Sequence, residues 1–173
     1  VGTDEHLQAS IEVAKACITL HGDLPSFTDK RVALVEFGAF ADSSVMDNTQ
    51  ADGLATHLAH KIDALTIATV HAITPDSAQI ERAKQIIAEC DVLILATRNA
   101  HVHEAQHTLA QALLVMAHKT VLVILRNPYD ADVLSADTVI STFSPSAPSL
   151  VAVTDALLGA YQPNGRRPVG AEA

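Results

Sequence analysis

Tryptophan is absent from this chain, and aromatic residues make up only 3% of it. Its core must therefore be Ala, Val, Leu and Ile, and it has few rings to stack on the bases of a single-stranded nucleic acid. Positive charge is sparse as well. Eleven Lys and Arg stand against 20 Asp and Glu, the net charge is −9, and no basic run is longer than the pair Arg166-Arg167. A phosphate backbone requires a basic face, so no nucleic-acid partner is expected. No apolar run reaches the ~18 residues of a membrane span. The opening residues VGTDEHLQAS lack the positive stretch and apolar stretch of a signal peptide. They also lack an initiator methionine, which fits a domain excised from a longer protein whose targeting signals lie elsewhere. The two cysteines, Cys17 and Cys90, sit far apart in apolar contexts. They are expected to be free, buried core residues, with a disulfide as the alternative.

Several chemical signatures are missing too. The first strand candidate ends in Glu36-Phe37-Gly38-Ala39-Phe40, which is no G-x-G-x-x-G turn, and no G-x-x-x-x-G-K-[ST] occurs, so no nucleotide cofactor is expected. No G-x-S-x-G elbow is present. No close carboxylate pair sits in an obviously apolar setting where one pKa would rise.

What remains is a globular composition, 49% hydrophobic and 18% charged, in 173 residues, enough for one domain with a sizeable core. Apolar spacing predicts a helix over 4–16, with Leu7, Ile11, Ala14 and Ile18 on one stripe. Strands are expected over 31–37, 64–70, 91–96, 120–125 and 138–143. Helices are expected over 54–62, from Thr74-Pro75-Asp76 to about 89, over 103–118 and over 148–158. Thr74 reads as an N-cap before a first-turn proline. Ile80, Ala83 and Ile87 should face inward, as should Leu109, Leu113 and Met116. Gly159 marks the end of the last helix, 38–53 reads as a long polar loop, and the tail from Tyr161 as extended. Strands that are continuous apolar runs, alternating with helices, imply a three-layer α/β/α sandwich with a mostly parallel sheet of five or six strands. Residues 1–173 read as a single domain.

In such a sheet, ligands bind beyond the carboxyl ends of the strands. One strand ends in Thr97-Arg98-Asn99-Ala100-His101, where a guanidinium fork and an amide suit sugar hydroxyls or a carboxylate. The plainer reading is that Arg98 and Asn99 cap the next helix and pair with a neighbouring carboxylate. His101, His103 and His107 raise the question of a metal, since His103 and His107 are four apart with Glu104 adjacent. The spacing is not H-E-x-x-H, and nine histidines are scattered along the chain. Solvent-facing helix histidines are the expectation, and no metal site is assigned. Asp130 and Asp132 flank a turn and read as backbone caps.

A second strand ends in Arg126-Asn127-Pro128-Tyr129-Asp130, and the two Arg-Asn corners imply one polar rim. Pro128 should fix this loop, and Tyr129 should bury its ring. Taken in order, RNPYD after VLVIL, Ser144-Pro-Ser-Ala-Pro-Ser149, Ala-Leu-Leu-Gly-Ala160 and Gln162-Pro-Asn-Gly-Arg-Arg-Pro-Val169 resemble the C-terminal domain of glycoside hydrolase family 3. The front of the chain, Ala16-Cys-Ile-Thr-Leu20 and Leu24-Pro25, is similar as well. Ala96-Thr-Arg-Asn-Ala100 looks closer to the β-N-acetylhexosaminidase branch than to the β-glucosidase branch.

The resemblance implies a partner. The family carries its aspartate nucleophile in an N-terminal barrel, and the hexosaminidase branch adds a His–Asp pair there in a K-H-F-P-G-like loop; neither occurs in these residues. The glucosidase branch draws a catalytic Glu from the second domain, a role not carried over to Glu104. Retaining hydrolysis needs two carboxyl groups roughly 5 Å apart, and none are assigned. The expectation is an accessory domain, without catalytic residues or cofactor of its own. Its Arg98, Asn99, Asn127 and Asp130 would face the barrel or a β-linked N-acetylhexosamine sugar. The alternative is a stand-alone flavodoxin-like binding or interaction module.

Overall fold

The computed structural model describes residues 3–38 and 53–167. The polar loop expected over 38–53 and the last tail residues therefore lie largely outside the described residues. Six strands form one sheet: β1 (Thr19–His21), β2 (Val32–Gly38), β3 (Leu65–His71), β4 (Val92–Thr97), β5 (Thr120–Ile124) and β6 (Thr138–Ser141). Their order is β1-β6-β5-β4-β2-β3. All neighbours are parallel except β1, which runs antiparallel to β6 with Thr19 opposite Ser141. The sandwich is thus the expected one, mostly parallel, with the short segment after the first helix recruited as an edge strand.

β2, β4 and β5 are buried at nearly every position, which is why their sequences are unbroken apolar runs instead of alternating ones. Helices α3 (Ser77–Ala88), α4 (Glu104–Met116) and α5 (Asp130–Val133) cover one face. Ala83, Ile87, Leu109, Leu113 and Leu134 meet Ala33, Val35, Leu93, Leu95 and Leu122 there. Helices α2 (Leu54–Leu58) and α6 (Ala147–Leu157) cover the other, where Leu54, Leu58, Leu150 and Val153 meet Leu34, Ile94 and Val123.

Helix α1 (Asp4–Cys17) departs from its sequence pattern. None of its residues is buried, Leu7 is exposed, and Ala14 alone packs from the partial shade against the α2–α6 core. It lies outside α6, held by Lys15, which reaches Asp155 at 3.1 Å and lies 5.4 Å from the centre of the Tyr161 ring. Burial, with Asp155 and Glu12 nearby, pushes the Tyr161 hydroxyl up to about 12. A third layer is already complete beneath α1, so its apolar stripe has little left to cover. Cys17, expected in the core, is exposed at its end; Cys90 is buried, and both are free thiols.

Two smaller expectations are also corrected. Met116 is exposed at the end of α4. The cap of α3 is Asp76, not Thr74. Asp76 accepts from the Gln79 amide at 2.8 Å, and Gln79 Oε1 accepts from the Asp76 amide and from His71 at the end of β3. Pro75 therefore precedes the helix. The carboxylate stands two residues closer to the first turn, and the Thr74 hydroxyl instead meets His71 Nδ1 at 3.0 Å.

The amino end of the sheet is latched by side chains. Asp137 accepts from the Thr120 amide and hydroxyl, both at 2.8 Å, and Asp91 takes Arg31. These partners hold Asp137 and Asp91 below the usual carboxylate range, Asp91 at about 2. The tail is tied down as far as Arg167. After α6, the Gly165 amide donates to the Ile18 carbonyl at 3.0 Å. A Cβ at Gly165 would lie 2.5 Å from that oxygen and 2.6 Å from the Cys17 oxygen, so only glycine fits this crossing. Arg167 then forks onto Asp132 of α5 at 2.8 and 2.9 Å. The strap crosses the carboxyl end of the sheet from β1 to α5.

Candidate functional site

β2 lies between β3 and β4, so the chain leaves it toward one side of the sheet and later resumes on the other. A crevice opens beyond the carboxyl ends at such a reversal. The residues that follow β4 and β5 form the floor and one bank of this rim.

The loop after β4 is held from below. Gln106, on the inner face of α4 and wholly buried, accepts from the Arg98 amide at 2.8 Å. It donates to the Arg98 carbonyl at 3.0 Å and to the Ala72 carbonyl at 3.3 Å. One amide side chain thereby satisfies both backbone groups of Arg98 and ties the loop to the one after β3. Asn99 takes φ +59°, a left-handed conformation that Asn tolerates better than most residues. Its carbonyl accepts from Val102 and His103.

Asp130 opens the four-residue α5, a helix the sequence pattern did not reveal. Its side chain is completely buried. It accepts from the Thr97 hydroxyl at 2.7 Å, from the His101 amide at 2.9 Å and from His101 Nδ1 at 2.6 Å. The Tyr129 ring stands edge-on to the imidazole, 5.4 Å between centres. Asp130 therefore lies under the rim, binding the β4 loop to the β5 loop. Tyr129, expected to bury its ring, is 42% exposed.

The bank nearer the reversal is more sparsely bonded. Glu36, a charge at the end of β2, is buried and accepts from the Leu54 and Ala55 amides at 3.0 and 2.9 Å. A Cβ at Gly53 would sit 2.6 Å from a Glu36 oxygen and would push that carboxylate aside. The Arg98 guanidinium is only 12% exposed and stays 3.9 Å from Glu36. Its Nε is sealed from solvent with no hydrogen-bond partner among the described residues. Burial lowers the Arg98 pKa; Glu36 opposes this, and the like charge of Arg126 adds to it. Asn127 donates to Asn99 Oδ1 at 3.0 Å, so the two Arg-Asn corners do meet.

Both buried carboxylates of the rim are thus occupied by protein donors. The arrangement offers amides, guanidinia and one imidazole, chemistry that binds hydroxyl or acyl oxygens. His103 sits at the cap of α4, and His107 Nε2 lies 3.3 Å from the Val133 carbonyl. No group of three or more metal-ligating side chains exists among the described residues. Sequence reasoning assigned no role to Glu36 or Gln106, and it read His101 as a solvent-facing histidine, whereas its ring is tied to Asp130. The first two left a signal: a carboxylate inside VALVEF, and a glutamine at helical spacing from Leu109, Ala110 and Leu113.

No protein-family profile matches the chain, and neither does any curated protein. Solved structures do match. A glycoside hydrolase family 3 β-N-acetylglucosaminidase from Paenibacillus sp. superposes with TM-score 0.76 at 18% identity, covering 92% of this chain and 31% of its own. A fungal multi-domain β-N-acetylglucosaminidase of the same family gives 0.75 at 21%, covering 98% and 19%. A β-glucosidase from Listeria innocua with isofagomine gives 0.78 at 20%, covering 95% and 27%. This chain thus spans a fifth to a third of the proteins it resembles in fold.

Proposed function

We propose that this chain is the C-terminal accessory domain of a glycoside hydrolase of family 3, similar to the β-N-acetylhexosaminidases. Its carboxyl rim packs on a catalytic barrel and closes one wall of the barrel's sugar site. The observation that carries this reading is the fold likeness: over nine-tenths of the chain superposes on a minor part of glycosidases in that family. The rim itself supports it. Ile73, Val102, Tyr129 and Val133, four of the large apolar side chains left exposed, all lie in the segments that follow β3, β4 and β5. Apolar side chains left open on neighbouring loops suit a covered surface. Beside them, Arg98, Asn99 and Asn127 supply the polar wall, and Asp130 acts from beneath by holding the loops.

The chain alone is inactive in this reading, because both rim carboxylates are engaged. The test is to assay an aryl β-N-acetylglucosaminide with this chain, with a family 3 barrel that carries a K-H-F-P-G loop and lacks its second domain, and with both. Turnover that rises only in the mixture supports the proposal. Turnover by this chain alone, or no association between the two, overturns it. The sheet order β3-β2-β4-β5-β6 is also that of flavodoxin-like domains, which keeps a stand-alone binding module as the second reading. A reading frame that encodes no barrel before Val1 would favour it.

A further inference from the structure

Three features of the rim converge on one place that the reading above leaves without a role. Asp130 is a fully buried carboxylate and can only accept hydrogen bonds when ionised. Its contact with His101 Nδ1 at 2.6 Å therefore places a proton on Nδ1 and orients the ring. His101 Nε2 has no hydrogen-bond partner among the described residues and is not sealed from solvent. Tyr129, against which the imidazole packs, is the only aromatic residue among the exposed large apolar side chains of the described residues. Among the described residues, this open ring stands beside an imidazole fixed by a buried acid.

We propose that His101 and Tyr129 form a contact site for a pyranose, with His101 Nε2 hydrogen-bonding a sugar hydroxyl while the Tyr129 ring covers the sugar's C–H face. A pyranoside presents that pairing: hydroxyls around its edge and an apolar patch of axial hydrogens on one side. A fixed imidazole and an open aromatic face complement it, and His101 is already oriented by Asp130 before binding. Asp130 is the positioning residue and does not touch the sugar. The inference deepens the reading of the rim as a sugar wall and rests on it. It shifts the expected contacts from the Arg98 corner to the bank beside α5.

The test uses the chain alone and needs no barrel. Long-range proton–nitrogen spectra of the 15N-labelled protein read which ring nitrogen of His101 holds the proton. Titration then follows with methyl N-acetyl-β-glucosaminide and, in parallel, with glycerol, which has hydroxyls but no ring face. The expected results are a proton on Nδ1, and shifts of the His101 and Tyr129 ring signals with the glycoside but not with glycerol. In Tyr129→Leu, a surface substitution that should leave the fold intact, the His101 response should fall roughly two- to tenfold, the size of one aromatic contact. In Asp130→Asn the proton should move toward Nε2. A proton on Nε2 in the parent chain, equal responses to glycerol and glycoside, or a His101 response indifferent to Tyr129→Leu each overturns the proposal. A chain that passes here yet ignores an added barrel defeats only the docking reading. One that docks yet fails here defeats only this contact.

Discussion

The two banks of the carboxyl rim are built from similar residues and held in opposite ways. Beside α5, a buried carboxylate is met by a hydroxyl, an amide and an imidazole, and Gln106 completes the backbone of the adjoining loop. Beside β2, a nearly buried guanidinium stands 3.9 Å from its carboxylate, and its sealed Nε has no partner among the described residues. A buried charge without full hydrogen bonding is costly to keep. The first bank is therefore wired into the fold by complete hydrogen bonding, and the second is held more loosely. Like side chains at like depth differ in purpose through the completeness of their partners.

Substitutions can break or sharpen this contrast. Asp130→Ala should be the most damaging, lowering stability by about 3–5 kcal/mol in urea titration, since it strands three donors at a buried site. A loss near zero would mean the bank is not wired as described. Gln106→Leu keeps the volume and removes bonds to three backbone groups. Its cost should be about 2–3 kcal/mol, read the same way, with faster amide exchange in the loop after β4. Arg98→Met on the other bank should cost less, about 1–2 kcal/mol, because the guanidinium is 3.9 Å away and Glu36 keeps its two amide donors when it is removed. A cost as large as that of Asp130→Ala would erase the distinction between the banks.

The smallest expected effect lies away from the rim. Asp91 is held at about 2, first by its hydrogen bonds from Arg31, below the unfolded value of about 3.9. A depressed folded pKa stabilises above the unfolded value and loses that contribution as pH falls toward the folded one. Acid unfolding followed from pH about 4 to about 2 should thus be shallower in Asp91→Asn than in the parent. The site is exposed, so the difference should be slight.

The sequence made the sandwich legible because β2, β4 and β5 are buried on both faces, so their residues cannot alternate. The same runs hid the topology: nothing in Thr19-Leu20-His21 says that it turns antiparallel, since three residues carry no period. The meeting of the Arg-Asn corners was legible from their places at two strand ends. The engagement of Asp130 was not, because its partners Thr97 and His101 lie about thirty residues earlier and are joined to it only by the crossover of α4 and β5. Leu7 misled because an apolar stripe marks what a helix could bury, and α1 found the layer beneath it already full.

The strap that ends the described chain also sets how the domain should respond to force. Tension on its C-terminal side would load the Arg167–Asp132 fork first and the Gly165–Ile18 bond next, one contact after another, before any strand is sheared. A pulling trace should therefore open with a weak peeling event that Arg167→Ala deletes, followed by the main rupture of the sheet. The carboxyl end of the molecule is tied like a seam, and it would come undone from one side.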